Sequence, residues 1–182
     1  MKSPSTKETR LLVARQIGRE PAIGFSVAKK CRYGWPAVIR NAPFDDRGNP
    51  NPNLYYLSCP YLRKRLGRLE GEGRTARLEE LIALEPDLIL ALRQAQADHS
   101  RQWQEAAGGL VKTAPPGPRI AASSGDTLLK CLHAHFAYGF VHNDYKIGRL
   151  IAEGLEGLWC DDERCRHWMV EIMAAGGSGE TS

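Results

Sequence analysis

Residues Asp126–Phe140, with the sequence Asp-Thr-Leu-Leu-Lys-Cys-Leu-His-Ala-His-Phe-Ala-Tyr-Gly-Phe, decide how the rest of the chain is interpreted. This stretch places one thiol and two imidazoles, those of Cys131, His133 and His135, within five consecutive positions. Thiolates and imidazoles are common metal ligands, so their proximity predicts a metal site. Apolar side chains recur along the same stretch at helical spacing, which predicts a buried central helix. They are Leu128, Leu132, Phe136 and Phe140.

The position at which this helix starts decides which histidine can bind the same metal ion as Cys131. At about 100° per residue, Cys131 and His135 lie on the same flank of a continuous helix, whereas His133 points elsewhere. A continuous helix therefore favours a pair of Cys131 and His135. A helix that begins late, or that is distorted at Cys131, allows a pair of Cys131 and His133. Without a metal, Cys131 is a small buried residue and the histidines are solvated or hydrogen-bonded.

Two more cysteines lie far upstream, each beside turn residues. Cys31 is followed at the third position by Gly34, as in a knuckle that points backbone amides at a bound thiolate, although a plain hairpin loop also explains the glycine. Cys59 precedes Pro60, which predicts that it lies at the amino terminus of a helix. Free amides and the helix dipole would there lower the pKa of its thiol and prepare it as a ligand or nucleophile. The alternative for Cys59 is a buried cysteine at a strand end.

Composition describes an ordinary globular chain. Of its 182 residues, 42% are hydrophobic and 25% charged, which fits one compact domain. The net charge of +4 is small for a polyanion-binding protein, so the basic run at 63–68 is interpreted as a solvated helix face and nucleic acid binding is not expected. No apolar run is long enough for a membrane helix, and the amino terminus lacks the apolar core of a signal peptide. These features, with an odd count of five cysteines, predict a cytoplasmic protein with reduced thiols.

Alternating apolar patterns and turn residues predict an α+β fold, in which a small antiparallel sheet of about three strands in the N-terminal third is covered by five or six α-helices. The strands are expected at 23–29, 36–40 and 54–57, and the main helices at 61–69, 74–84, 86–107, 126–140 and 145–154. The expected organisation is a flexible tail (1–10), a single compact domain (11–176) and a second tail (177–182). Within the domain, a proline-rich linker (108–118) separates a mixed α/β part (11–107) from a helical part (119–176).

Two further groups are secondary candidates. His99 lies on the apolar face of the helix expected at 86–107, where a histidine is usually a satisfied core residue. Near the end of the chain, Cys160 and Cys165 are five positions apart and do not face each other on an uninterrupted helix. A turn there could bring them together with His167 into a second site. The favoured interpretation is an exposed or partner-facing terminal helix.

Five short blocks of sequence resemble the bacterial domain-of-unknown-function family 501 over roughly residues 11–160. They are 13–19, 29–36, 54–60, 130–135 and 143–148. The resemblance implies a small cytoplasmic protein without an established activity. Genes of this family often lie beside those for a septum-formation initiator and an exopolyphosphatase, which suggests a link to cell division.

The resemblance also bears on the ligands. The cysteine positions of the family and its Cys-Leu-His motif match Cys31, Cys59, Cys131 and His133. A further histidine often stands in the family where this chain has Tyr138. That difference leaves His133 or His135 as the fourth ligand of this chain.

Two functions of different classes follow from these residues. In the first, Cys31, Cys59, Cys131 and one histidine bind Zn²⁺ in a closed tetrahedral site, and the protein acts by binding a protein partner through its helical half. Three thiolates and a histidine could equally hold iron or an iron–sulfur cluster.

The second function is enzymatic. Three of the ligands would leave a coordination position for water, with the spare histidine, Asp126 or Asp144 as general base. In a metal-free variant of this hypothesis, Cys59 is the nucleophile and a histidine is the base. The sequence identifies no small-molecule substrate for either version.

Overall fold

A computed structural model of the chain describes residues 7–108 and 118–176. Both chain ends beyond this range, and residues 109–117 of the predicted linker, lie outside the described residues. Helix α1 (Lys7–Ile17) begins inside the predicted N-terminal tail. Its Leu12 and Val13 are fully buried, and Arg10 forms an ion pair with Glu20 at 2.6 Å. Residues 7–10 are therefore part of the folded structure, because packing of the next helical turn anchors them.

The sheet has three antiparallel strands in the order β1 (Phe25–Lys30), β2 (Pro36–Asn41) and β3 (Tyr55–Leu57). Strand β2 is central and carries the residues with the least exposure, since the sheet is covered on both faces. The predicted three-stranded antiparallel sheet is confirmed.

Six helices follow the sheet in the described part of the chain, together with one short 3₁₀ helix at Ile120–Ala122. They are α2 (Pro60–Gly71), α3 (Arg74–Leu84), α4 (Pro86–Ala106), α5 (Leu132–Val141), α6 (Lys146–Glu153) and α7 (Arg164–Gly176). With α1 this makes seven α-helices beside the sheet, so the α+β class is confirmed. None of these helices is long and apolar enough to span a bilayer.

The main core lies between the sheet and helices α2 to α6, with α5 packed against both β3 and α6. Phe136 on α5 is 1% exposed and is one of the largest fully buried side chains. A second, smaller core joins α1 to α7 through Leu12, Cys165 and Ile172. Helix α5 therefore occupies the centre of the fold, and α7 is attached at its margin.

Helix α5 begins at Leu132, six residues later than the sequence predicts. The reason is that carboxylates from neighbouring helices take the backbone donors just before it. Glu79 accepts the N–H groups of Leu129 and Lys130, at 2.7 and 3.4 Å, and Lys130 has a positive φ of 63°. Cys131 then has an extended backbone as the N-cap residue, so the predicted helix at 126–131 is a loop.

Candidate metal centre

The start of α5 brings three potential metal ligands together. Glu70 comes from the last turn of α2, Cys131 is the N-cap residue of α5, and His133 lies in its first turn. One ligand atom from each residue lies within 4.8 Å of the other two. The His133 Nδ1 atom is 3.9 Å from Cys131 Sγ and 3.1 Å from Glu70 Oε2. The late start of α5 thus creates the pairing of Cys131 with His133 that a continuous helix disfavours.

Hydrogen bonds on the far side of two ligands orient them toward the cluster. The Leu132 N–H group donates to Glu70 Oε1 at 2.6 Å, which leaves Oε2 facing His133. The Nε2–H group of His133 donates to the Arg63 carbonyl oxygen at 2.9 Å, which leaves Nδ1 facing Cys131 and Glu70. Metal-bound histidines are commonly held in this way by a carbonyl on the other ring nitrogen.

The surroundings of His133 favour positive charge. Its pKa is raised to about 9, chiefly by the contact with Cys131, with further contributions from the Arg63 carbonyl and the Glu70 carboxylate that outweigh burial. Carbonyl and carboxylate oxygens only accept hydrogen bonds. Without a metal, both ring nitrogens of His133 therefore carry protons. A metal cation would replace the proton on Nδ1, where the same groups stabilise its charge.

The observed distances fit a small tetrahedral ion. With bond lengths of about 2.3 Å to sulfur and about 2.1 Å to nitrogen, zinc ligands of these types lie about 3.6 Å apart, compared with 3.9 Å between Cys131 Sγ and His133 Nδ1. For nitrogen and oxygen ligands the corresponding distance is about 3.4 Å, compared with 3.1 Å between His133 Nδ1 and Glu70 Oε2. Shifts of a few tenths of an ångström would bring these two pairs to the zinc spacing, and the third pair, Cys131 and Glu70, has ligand atoms within 4.8 Å of each other.

A cleft of about 410 Å³ opens beside the cluster, and Cys131 and His133 form part of its wall. The same cleft is lined by Tyr55 and Tyr56 from strand β3 and by Arg63 from α2. Its size is within the range of small-ligand pockets. A ligand in this cleft would approach the cluster from the side of Cys131 and His133.

The structure does not place His135 with this cluster. His135 is fully buried, and its Nε2–H group donates to the Leu129 carbonyl at 3.1 Å while Nδ1 accepts from the Tyr145 hydroxyl at 2.8 Å. Burial lowers the pKa of His135 to about 3. It is therefore a neutral core histidine with both nitrogens engaged.

Cys31 and Cys59 also lie apart from the cluster of Glu70, Cys131 and His133, and they line a different cavity. Cys59 precedes the first residue of α2 and Glu70 lies near its last, about 17 Å along the axis at 1.5 Å per residue. Among the described residues, no group of metal-ligand atoms joins Cys31 or Cys59 to Cys131. The residues predicted to form one site therefore lie at two separate places in the fold.

Cys59 does lie at the amino terminus of a helix, as the sequence predicts, but the expected pKa is wrong. Burial raises the pKa of its thiol, and hydrogen bonds from the backbone N–H groups of Leu62 and Tyr61 offset this only in part. Desolvation disfavours the thiolate more than the helix terminus favours it. Cys59 is therefore poorly prepared as a metal-free nucleophile.

The remaining sequence candidates lie away from the cluster. His99 is buried on α4, with Nδ1 at 2.8 Å from the Pro118 carbonyl, as expected for a core histidine. Asp126 forms ion pairs with Arg93 and Arg119, at 2.8 and 3.2 Å, and Asp144 lines another cleft. Glu70 was missed because a glutamate near the end of a charged helix has no feature that separates it from surface residues.

Comparison with known proteins gives a result at the level of the family. A family model described as "Protein of unknown function (DUF501)" matches residues 27–153. The matched segment contains all three residues of the cluster, whereas Cys160 and Cys165 follow it. Comparisons with curated proteins and with solved structures found no match.

Proposed function

We propose that this chain, which belongs to the DUF501 family of proteins of unknown function, binds a zinc-class metal ion through Glu70, Cys131 and His133. The observation that carries the proposal is the orientation of the ligand atoms. Separate backbone groups hold Glu70 Oε1 and His133 Nε2, so that Oε2 and Nδ1 converge on the thiol of Cys131. Carboxylate, imidazole and thiolate are all ligands that zinc accepts.

The ligand count supports a reactive site over a closed structural one. Among the described residues, no fourth His, Cys, Asp or Glu joins the three. Zinc sites with three protein ligands usually keep a position for water or substrate, and the cleft lies beside this one. A metal ion in such a position acts as a Lewis acid, which is the chemistry of metal-dependent hydrolases. We therefore favour the enzymatic function over the closed Cys₃His site of an interaction protein.

Arg63 adds a specificity element. Arg63 is one of the residues that line the cleft, and its own carbonyl orients His133. Its guanidinium lies 5.9 Å from the ring centroid of Tyr56 and donates a hydrogen bond to the Gln16 carbonyl at 3.2 Å. A ligand that carries a negative group would be attracted to this wall. The protein partner on the helical half and the link to cell division stay predictions.

Metal content measured on protein purified without chelator tests the site. Glu70→Gln and His133→Ala should each lose one zinc ion per chain relative to the wild type. Glutamine keeps an oxygen that can accept the Leu132 N–H group, so Glu70→Gln should preserve the start of α5. Glu72→Gln and His167→Ala change exposed residues of the same types and should retain the wild-type content. Unchanged metal content in both cluster variants would refute the site.

The open position has its own test. In cobalt-substituted protein, azide should change the visible absorption spectrum, because an added ligand alters the geometry of the ion. The same addition to cobalt-treated Glu70→Gln should give no such change. If azide leaves the wild-type spectrum unaltered, the ion is closed to exogenous ligands and the hydrolase class is wrong, whatever the metal content.

A second candidate function follows from the charge on His133. Because its pKa is raised to about 9, His133 is an imidazolium at neutral pH and lies beside the Cys131 thiol. A cysteine beside a histidine is also the arrangement of nucleophile and base in cysteine-dependent enzymes. This function predicts that metal-free protein is alkylated by iodoacetamide at Cys131 faster than His133→Ala is, and that added zinc does not bind at Cys131. Zinc binding that abolishes the alkylation would select the metal site.

A further inference from the structure

Four of the five cysteines meet at one place that the proposed function does not use. Cys31, Cys59, Cys160 and Cys165 all line a single cavity of about 20 Å³. They come from the turn between β1 and β2, the N-cap of α2, the segment before α7 and the first turn of α7. The chain therefore brings together thiols that are up to 134 positions apart. All four are free thiols.

Two of these cysteines are followed, at the third position, by a residue with a positive φ. The third residue after Cys31 is Gly34, with a φ of 86°, and the third residue after Cys160 is Glu163, with a φ of 41°. Glycine adopts a positive φ without steric strain, whereas glutamate does so at a cost in energy. Contacts around the second turn must therefore stabilise it. Turns of this kind direct backbone N–H groups at an anionic sulfur.

Polar groups near the sulfurs favour the charged form. The backbone N–H groups of Leu62 and Tyr61, in the first turn of α2, act to lower the pKa of Cys59, although burial raises it overall. The backbone of Glu163 acts in the same direction on Cys160, whose pKa burial also raises overall. The Gln16 side chain is buried, and its Nε2 atom donates to Cys165 Sγ at 3.3 Å. These donors suit thiolates, although burial disfavours the charged form of Cys59, Cys160 and Cys165.

The thiols are close enough to interact electrostatically. The pKa of Cys165 is raised to about 11, chiefly by burial and to a smaller extent by the neighbouring thiols of Cys59, Cys31 and Cys160, while the hydrogen bond from Gln16 acts in the opposite direction. The cavity walls are completed largely by apolar groups, among them Trp35, Leu158 and Trp159. A cation bound among the four sulfurs would turn their mutual repulsion into attraction.

The dimensions favour one ion over a cluster of ions. A cavity of about 20 Å³ has room for about one water-sized sphere. The sulfurs are more widely spread than the ligand atoms of Glu70, Cys131 and His133, since no three of them lie within 4.8 Å of one another. Ion binding would draw them inward to the spacing of about 3.8 Å that follows from tetrahedral bonds of about 2.3 Å.

We propose that Cys31, Cys59, Cys160 and Cys165 bind one Zn²⁺ ion as a closed four-thiolate site that fastens the C-terminal segment to the sheet and to α2. Four protein ligands leave no coordination position for chemistry, so this site is structural. Helix α7 needs such a fastening because its own core is small, with Leu12, Cys165 and Ile172 as the buried members. This site is independent of Glu70, Cys131 and His133, so either can exist without the other.

The test uses the full-length Cys131→Ala variant, in which the first site is disabled and the four thiols remain. Purified without chelator, it should hold one zinc ion per chain. Stepwise addition of a mercurial reagent should release this zinc as the four thiols are blocked, which requires no substitution within the buried cluster. Cys59→Ser in the same background should lose the zinc. Loss from Cys59→Ser together with retention in Cys131→Ala shows that the zinc depends on Cys59 and not on Cys131.

The fastening role has a separate readout. Removal of zinc from Cys131→Ala by a chelator should increase hydrogen exchange in α7 and leave that of α4 unchanged. Either of two results would overturn the proposal: a Cys131→Ala protein without zinc whose four thiols all react freely, or one in which they form disulfides. Bound iron in place of zinc would likewise contradict it. If the site of Glu70, Cys131 and His133 binds no zinc, the wild type and Cys131→Ala should contain equal amounts of zinc. That result leaves the four-cysteine site unaffected.

Discussion

Replacement of Gly139 by alanine should force α5, which carries two of the three candidate metal ligands, away from α6. Gly139 on α5 faces Gly148 on α6 at the point where the helices cross. A Cβ atom on Gly139 would lie 2.7 Å from the Cα atom of Gly148 and 3.2 Å from Cδ1 of Tyr145. Nonbonded carbon atoms prefer separations of about 3.5–4.0 Å, so the overlap with Gly148 is about 1 Å. Because the atom it meets belongs to the backbone, no rotamer change relieves the contact.

The magnitude follows from two opposing terms. Overpacking of this kind costs typically about 1–3 kcal/mol, and the upper half of that range applies where only a backbone shift can relieve it. Alanine gains about 1 kcal/mol over glycine in a helix interior. The net loss for Gly139→Ala should be about 1–2 kcal/mol, which for a chain of this size lowers Tm by roughly 2–8 °C.

Urea unfolding followed by circular dichroism measures this loss. The matched control is Gly67→Ala on α2, where nothing lies within 4 Å of the added Cβ, and it should gain up to about 1 kcal/mol. In the double variant of Gly139 and Gly148 the losses should be less than additive, since the first substitution already separates the helices. If Gly139→Ala is as stable as Gly67→Ala, the helices can separate at no cost and the close crossing does not position α5.

Three further substitutions test other parts of the fold. Leu92→Ala removes a fully buried side chain and should cost about 2–5 kcal/mol in urea unfolding; a loss below about 1 kcal/mol would mean that the core collapses around the site. Burial lowers the pKa of His99, so the folded state keeps this residue neutral, and stability should fall below pH 6.5 by up to about 1.4 kcal/mol per pH unit. His99→Gln should show a shallower loss between pH 7 and 5, whereas equal slopes would contradict the assignment. Tyr138→Phe removes a hydrogen bond of 2.7 Å to Asp98 that offsets the effect of burial on this carboxyl; the pKa of Asp98, followed by NMR, should rise, and stability at pH 7 should fall by about 1 kcal/mol.

Much of the fold could be predicted from local sequence patterns. Alternating residues identified the three strands, and Pro60 and Pro86 correctly marked the starts of α2 and α4. These features depend on neighbours within a few positions, which is the range over which periodicity and helix-start signals act. The start of α5 could not be predicted in this way, because side chains from α2 and α3 determine it.

The same difference between local patterns and long-range contacts applies to the candidate sites. The sequence by itself identified Cys31, Cys59, Cys131, His133 and His135 as residues with metal-binding chemistry, since ligand type and turn residues are local properties. Only the tertiary structure decided which of them meet. It placed Glu70 beside Cys131 and His133, and it put Cys31 and Cys59 with the two C-terminal cysteines instead. The physical reason is that Glu70 and Leu132 lie 62 positions apart in the sequence, and the packing of α2 against α5 that brings them together depends on long-range contacts, which leave no local pattern in the order of residues.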